Sequence, residues 1–420
     1  MKKLCLVVIL FGCLLGVSGR SFAIIGTIDP VPAATLLFPY FEVDIAHSTG
    51  MNTVLAINNA YDSAALAHVT LWTDQSVPAL SFDVYLTGYD SQLIDLRDLF
   101  VNGNVPVTAC DGQDPKDTIS PQGPISQDIN FPGCWALPYA ALALNSAHRA
   151  HLQAWFQGNQ SPATGDCAGA KWHDNVLRGY VTVDVVDVVN WLFPSDGDDY
   201  ISILAFDNVL WGDVVYVDPD AGISHAETAV HIEACEECFE PGDHTFYGRY
   251  NANNASDARE ALPTTMSARY SYFSGFPSFF GGQTDFFVWR EGNAAATGYN
   301  CTQQGPSSWY PLESEQMVIF DMQEQPVTSE DCPLGDPTCT QTILIPNEAN
   351  RIDVAADLLS PFNDGWVYLN LQHLATTYPD QYAQMWLITT MDADGWFSIG
   401  YEGTPLDNAN DPITTRLPVP

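Results

Sequence analysis

The sequence predicts an all-β protein made of two packed antiparallel β-sandwich units, with a short helix in an insertion of the first. Short β-branched and aromatic runs recur between Gly, Asn, Asp and Pro clusters, the spacing of an antiparallel sandwich. A single stretch free of Gly and Pro reads as helix. Segments of the N-terminal half are echoed, in order, in the C-terminal half.

The chain opens Met1-Lys2-Lys3, runs apolar from Leu4 to Gly16 and places small residues at Ser21 and Ala23. This is the pattern of a secretory signal peptide, residues 1–23, so the rest is expected to be secreted or periplasmic. Leu10-Phe11-Gly12-Cys13 has the outline of a lipoprotein cleavage site. Phe11 is bulky for that role, however, and Leu14-Leu15-Gly16-Val17 carries the apolar run past the cysteine, which favours ordinary cleavage.

Strands are predicted at 34–43, 53–59, 67–73 and 81–87. In the third, Ala67, Val69 and Leu71 alternate with His68, Thr70 and Trp72, the pattern of a strand with one face on a core. Residues 180–189 are nearly continuous in valine, as in a strand buried on both faces. Residues 201–206 and 213–217 predict a hairpin. A loop-rich insertion spans 102–172, and within it 145–157 predicts a helix that lids one end of the sandwich. Asn145 or Ser146 can cap its start and Gly158 its end.

The echoes pair 50–57 with 281–288, 69–78 with 317–326, 94–99 with 352–358, and 179–184 with 365–370. Kept in one order, they predict duplication of a single β-unit. The boundary is expected near Gly222, giving units at 24–222 and 223–420. No Ser/Gly-rich linker separates them, so they are expected to pack together.

The 420 residues carry 51 Asp+Glu against 14 Lys+Arg, a formal net charge of −37. Removing the tag takes Lys2, Lys3 and Arg20 but no acid, so the exported chain is more negative still. Such a surface repels phosphate backbones and anionic lipid heads, which argues against nucleic-acid partners. It favours divalent cations, calcium foremost. No second long apolar run predicts a membrane span.

Cys5 and Cys13 leave with the tag, and Cys110, Cys134, Cys167, Cys235, Cys238, Cys301, Cys332 and Cys339 remain. An even set in an oxidising space predicts disulfides. Cys332–Cys339 can close a Pro-Leu-Gly-Asp-Pro turn, and Cys134–Cys167 would bracket the insertion. Cys235-Glu236-Glu237-Cys238 has redox-pair spacing, but its glutamates would raise a thiolate's pKa, so a structural bridge is favoured over redox chemistry or zinc.

The strings Thr35-Leu36-Leu37-Phe38-Pro39-Tyr40-Phe41-Glu42-Val43-Asp44, Ala56-Ile57-Asn58-Asn59-Ala60, Ala67-His68-Val69-Thr70-Leu71-Trp72-Thr73-Asp74, Tyr85-Leu86-Thr87-Gly88-Tyr89-Asp90 and Asn208-Val209-Leu210-Trp211-Gly212-Asp213 resemble a family of exported bacterial proteins with no known activity. The resemblance implies a bacterial, exported origin and carries over no catalytic residue or cofactor. The opening strands more loosely resemble the Ig-like sandwiches of bacterial surface proteins, so two Ig-like units are expected.

Among groups that could do chemistry, His225, Glu227, His231 and Glu233 would share one face of an extended strand. Imidazoles with carboxylates suit zinc or another transition metal. Six residues of strand separate the histidines by roughly 20 Å, too far for one ion, so His231, Glu233 and His244 form the more realistic set. The competing expectation is an amphipathic strand with a solvated polar face.

Acidic turns at Asp196-Gly197-Asp198-Asp199, Asp218-Pro219-Asp220, Asp392-Ala393-Asp394-Gly395 and Asp407-Asn408-Ala409-Asn410-Asp411 offer oxygens for calcium. Asp392 and Asp394 match the first two ligands of an EF-type loop. Trp396 and Gly403 then fall where ligands are required, so the segment is not an EF-hand, and a hairpin turn at Asp394-Gly395 is the preferred reading.

The mature chain has no G-x-S-x-G elbow, H-E-x-x-H pair or phosphate-binding loop. The expected role is therefore non-enzymatic: a surface, matrix or binding protein that meets an extracellular polymer or cell-surface partner. The alternatives are a secreted hydrolase using two carboxylates and a calcium-dependent carbohydrate-binding module that stacks sugars on exposed aromatics.

Overall fold

The computed structural model describes residues 31–106, 144–235, 245–250, 256–271, 282–292, 297–302, 317–327, 345–354, 364–371, 383–393 and 397–406. The fold is all-β and sandwich-like, with four antiparallel sheets. The first nine strands are β1 (Thr35–Asp44), β2 (Asn52–Asn59), β3 (Ala65–Thr73), β4 (Pro78–Leu86), β5 (Ser91–Asp95), β6 (Val176–Val185), β7 (Leu210–Asp218), β8 (Ile223–Thr228) and β9 (Val230–Ile232). They form sheets of order β4-β3-β6-β1-β9 and β5-β2-β7-β8.

The second nine are β10 (Thr265–Ser271), β11 (Gln283–Arg290), β12 (Met317–Asp321), β13 (Pro326–Val327), β14 (Ala349–Asp353), β15 (Asp364–Asn370), β16 (Met385–Asp392), β17 (Ser398–Glu402) and β18 (Thr404–Pro405). Their sheets run β13-β12-β15-β10-β18 and β14-β11-β16-β17. The second pair thus repeats the first strand for strand, with β10 in the place of β1. The segments echoed in sequence fall on equivalent strands: β2 with β11, β3 and β4 with β12 and β13, β5 with β14, and β6 with β15.

One glycine contact repeats as well. A Cβ on Gly179 would strike the carbonyl oxygen of Trp72, and one on Gly365 would strike that of Phe320. Trp72 and Phe320 are aligned by the second echo. In both halves the neighbouring strand approaches too closely for any larger residue.

β8 and β9 lie beyond Gly222 yet pair with β7 and β1. Hydrogen bonding therefore passes from the first pair of sheets to the second between Ile232 and Thr265. β1 is buried over nearly its whole length. Its register against β6 shifts between Phe38 and Phe41, around Pro39, which has no N–H to give the ladder.

The helix forms where the sequence predicts it, as α1 (Ser146–Phe156). Asn145 Oδ1 accepts from the amides of Ala147 and His148, both at 3.0 Å. Gly158 follows at φ 64°, a conformation that glycine tolerates. Leu152 and Phe156 point inward, and Phe156 meets Phe41 and Phe100 at ring-centroid distances of 5.6 and 5.0 Å.

Three expectations are corrected. Residues 201–206 do not form a hairpin strand with 213–217. Pro194–Asp196 begins a 3-10 turn and Asp198–Ile201 a helical one, while β7 pairs with β2 and β8. Pro194 and the left-handed Gly197 favour a tight turn over an extended run. In β3 both faces are buried, because His68, Thr70 and Trp72 are fully enclosed. Cys167 bonds to Cys301 rather than Cys134, with a Cα separation of 5.0 Å. Antiparallel bridging of Cys167 with Tyr299 brings those chain segments side by side, and the bond ties the insertion of the first half to the second half.

Cys235 is also disulfide-bonded. Cys134, Cys238, Cys332 and Cys339 lie outside the described residues. Among the described residues, no helix is long and apolar enough to cross a membrane.

Candidate functional site

The histidine- and glutamate-bearing run is not one strand. At Ala229 the chain leaves β8 in one sheet and enters β9 in the other, so His225 and His231 belong to different sheets. His231 Nε2 accepts from the Gly212 amide at 3.0 Å, and its ring packs on Trp211 at 4.6 Å. Burial pushes this imidazole down to about 4, so it is neutral near pH 7.

Glu233 is half-buried, and its carbonyl accepts from the Glu260 amide at 2.8 Å. Asp392 ends β16, paired with Gln283 and Ser398. His244 and Asp394 lie outside the described residues. Among the described residues, no three His, Cys, Asp or Glu side chains gather as a metal site would require.

A cluster of ionisable groups lies where the two halves meet. On β1, Glu42 accepts from Arg178 Nε of β6 and from Arg351 NH1 of β14, each at 3.0 Å. The Tyr40 hydroxyl donates to it at 2.7 Å. Arg351 also reaches Asp285 of β11 at 3.0 Å, and Arg178 clasps Asp174 with both terminal nitrogens. Burial opposes the charge of Glu42, but Arg351, Arg178 and Tyr40 together hold its carboxyl below the usual range. Tyr40 stacks on Phe287 at 4.5 Å, closing the apolar side of the seam.

A second joint uses the β3–β4 turn. Ser76 sits there at φ 63°, fully buried. Its hydroxyl meets Tyr180 at 3.0 Å and Arg249 at 3.1 Å, and Arg249 clasps Glu348 at 2.7 and 2.8 Å. Tyr180 donates to the same carboxylate at 2.9 Å.

At a third contact, edge strand β8 lies beside edge strand β17. The Ser224 amide donates to Ser398 Oγ at 3.1 Å, and that hydroxyl returns a bond to the Ser224 carbonyl at 2.9 Å. A Cβ on Gly400 would collide with Glu227 Oε1 and come within 3.1 Å of His225 Cδ2, so both side chains converge on that glycine. Burial, with the charge of Glu402 adding to it, pushes Glu227 up to about 8. Burial and then Arg351 push His225 down to about 4.

On the outer surface, α1 and β4 frame a cleft of about 260 Å³. Phe82, Leu152 and the exposed Trp191 supply its apolar wall, and Asn145, His148 and His151 its polar rim. This is slightly below the ~300–1,000 Å³ usual for small-molecule pockets.

Reasoning from sequence missed Glu42, Arg178, Arg351 and Glu348 altogether. An isolated arginine in a chain this acidic is a usable signal, since each Lys or Arg is scarce. The glutamate each one meets, however, lies far along the chain: 136 positions for Arg178 and 309 for Arg351 at Glu42, and 99 for Arg249 at Glu348.

No protein-family model and no curated protein matches the chain. Among solved structures, it is weakly similar to Streptomyces avermitilis alpha-L-rhamnosidase complexed with L-rhamnose, at 9% identity and a TM-score of 0.16. That match covers 92% of this chain and 27% of the other.

Proposed function

We propose that this is an exported, acidic protein that binds an extracellular polymer or cell surface rather than transforming a substrate. The observation that carries the reading is the mutual neutralisation of ionisable groups at the seam. Glu42 binds Arg178 of its own half and Arg351 of the other, and the Arg249–Glu348 pair is reached from the first half by Ser76 and Tyr180, so both clusters act as joints. Groups bound to one another in this way hold architecture and are not poised for proton transfer. The signal-like N-terminus and the net charge of −37 fit a secreted or periplasmic protein that stays dispersed.

The test incubates purified protein with insoluble polysaccharides and with bacterial cells, measuring retention and released reducing ends together. Retention without release is expected. Release of reducing ends would replace the binding reading with a hydrolytic one.

One observation favours a hydrolase as the second reading: Glu227 keeps its proton near neutrality, as a general acid must. Glu227→Gln would abolish turnover under that reading and leave retention unchanged under the first. A calcium-dependent form of the binding reading is tested by repeating the retention assay, and a thermal-shift measurement, with chelator. Loss of both retention and melting temperature supports it, and indifference removes it.

A further inference from the structure

Two loops at one end of the first sandwich each present a tyrosine to solvent. Tyr61, between β2 and β3, is 56% exposed, and Tyr89, between β4 and β5, is 49% exposed. The Tyr89 amide donates to the Tyr61 carbonyl at 2.9 Å, so the two residues stand side by side. Neither loop is free to drift. Asn59, itself buried, donates to the Ser63 carbonyl at 2.6 Å and the Thr87 carbonyl at 2.9 Å, and accepts from the Tyr61 amide at 3.0 Å.

The buried carboxylate of Asp90 accepts from the Thr87 amide and hydroxyl, both at 3.1 Å, and from the Ser91 amide at 2.8 Å. Gly88 lies so close to the Asp62 backbone that a Cβ there would strike its carbonyl.

Within this frame Tyr89 is held at φ 58°. The left-handed region is strained for a bulky side chain, and a Gly or Asn would form the same turn more easily. Much of the ring remains in water. Strain of this kind persists only where surrounding bonds over-determine it, and it gathers at ligand clamps. Two half-exposed tyrosines sit on loops whose backbones are already pinned, so a ligand that met them would order little on binding.

We propose that Tyr61 and Tyr89 form a stacking platform for a neutral polysaccharide. The apolar face of a pyranose fits an aromatic ring, while sugar hydroxyls find Asp62 and Ser63 beside it. The ionisable groups built into these loops besides the two tyrosines are Asp62 and Asp90. Both are acids, so uronate, sulfate and phosphate polymers are repelled here as they are by the whole chain. Two ring faces fall far short of the ~1,200 Å² of a stable protein interface, and a second copy of so acidic a chain is repelled as well.

The inference rests on the binding reading above and assigns it a site. The test uses affinity electrophoresis of the full chain in gels containing hydroxyethyl cellulose, xylan, galactomannan or polygalacturonate. Wild type is expected to be retarded by at least one neutral polymer and not by polygalacturonate. Tyr61→Ala and Tyr89→Gly are expected to weaken that retardation at least tenfold. Tyr89→Gly should melt no lower than wild type, because glycine relieves the left-handed strain.

Equal retardation of wild type and both variants would overturn the platform and leave the binding reading standing. Stronger retardation by polygalacturonate would overturn the neutral-ligand assignment. A lower melting temperature in Tyr89→Gly would make the ring a structural element and overturn the platform. If no neutral polymer retards wild type, the platform fails, and the cell-retention assay decides the broader reading on its own.

Discussion

Glu42 and Arg351 stand 309 positions apart and meet at 3.0 Å, one from each half of the molecule. The glutamate is almost fully enclosed and the arginine side chain is 35% exposed. Removing the arginine leaves Arg178 as the only cation beside Glu42, and leaves Asp285, which burial already holds above its usual range, without its guanidinium. Losing one partner of a buried pair costs about 3–5 kcal/mol, and partial exposure of Arg351 places this case near the lower end. Arg351→Met is therefore expected to lower unfolding free energy by about 3 kcal/mol. Chemical denaturation of the two proteins measures it, and a change under about 0.5 kcal/mol would mean that Arg178 alone sustains Glu42.

Local chemistry was legible in the sequence and long-range partnership was not. Asn145 and Gly158 mark the ends of α1 by rules that act within a few residues, so the helix could be read directly. The echo of 179–184 in 365–370 was legible for a local reason, since Gly179 and Gly365 answer the same steric demand in each half. By contrast, alternation in β3 marks His68 and Thr70 as solvent-facing, yet both are fully buried.

The cover over that face comes from segments far along the chain. Asp184 on the neighbouring strand β6 binds Tyr200, Tyr247 and Arg259. Likewise, nothing local at Ala229 announces that the chain changes sheets there. Cysteine spacing pointed to Cys134 as the partner of Cys167, whereas the partner lies 134 residues further on, at Cys301.

Glu227 gives the seam a defined pH response. Its folded pKa is raised to about 8 by burial and by Glu402, against roughly 4.3 in an unfolded chain. Between those values the folded state holds a proton that the unfolded state has lost. Stability from this group is complete below the lower value and is lost as pH rises toward the upper one. Glu291, raised to about 7 by burial, declines over a similar window, while His225, lowered to about 4, acts in the opposite sense at lower pH. Comparison with Glu227→Gln isolates the effect, because glutamine cannot ionise. The difference in melting temperature, variant minus wild type, is expected to grow in the variant's favour from about pH 5 to about pH 9. A constant difference would show that Glu227 titrates normally.

The Cys167–Cys301 bond closes a long loop between the insertion and the second half. Such a cross-link restricts the unfolded chain, and its loss costs about 2–5 kcal/mol in stability. Cys301→Ser is expected to lower the melting temperature by several degrees. The echoed strands and their hydrogen bonds do not depend on the bond, so far-ultraviolet circular dichroism should be unchanged. Loss of the β-sheet signal in Cys301→Ser would instead make the bond a condition for folding.

Asp184 concentrates more buried donors than any single neighbour could replace. Its Oδ1 accepts from Thr35 at 2.5 Å and Arg259 at 2.8 Å, and its Oδ2 from Tyr200 at 2.6 Å and Tyr247 at 3.0 Å. Arg259 is itself enclosed and retains Asp257 at 2.9 Å. In Asp184→Asn, one acceptor oxygen becomes a donating amide that faces two hydroxyls, and Arg259 loses half its counter-charge. The expected loss is about 3–5 kcal/mol, measured by denaturant unfolding. Thr35→Val, which removes one donor but no charge, should cost only about 1 kcal/mol. Equal losses in the two variants would mean that the network is held by packing around it and not by the carboxylate at its centre.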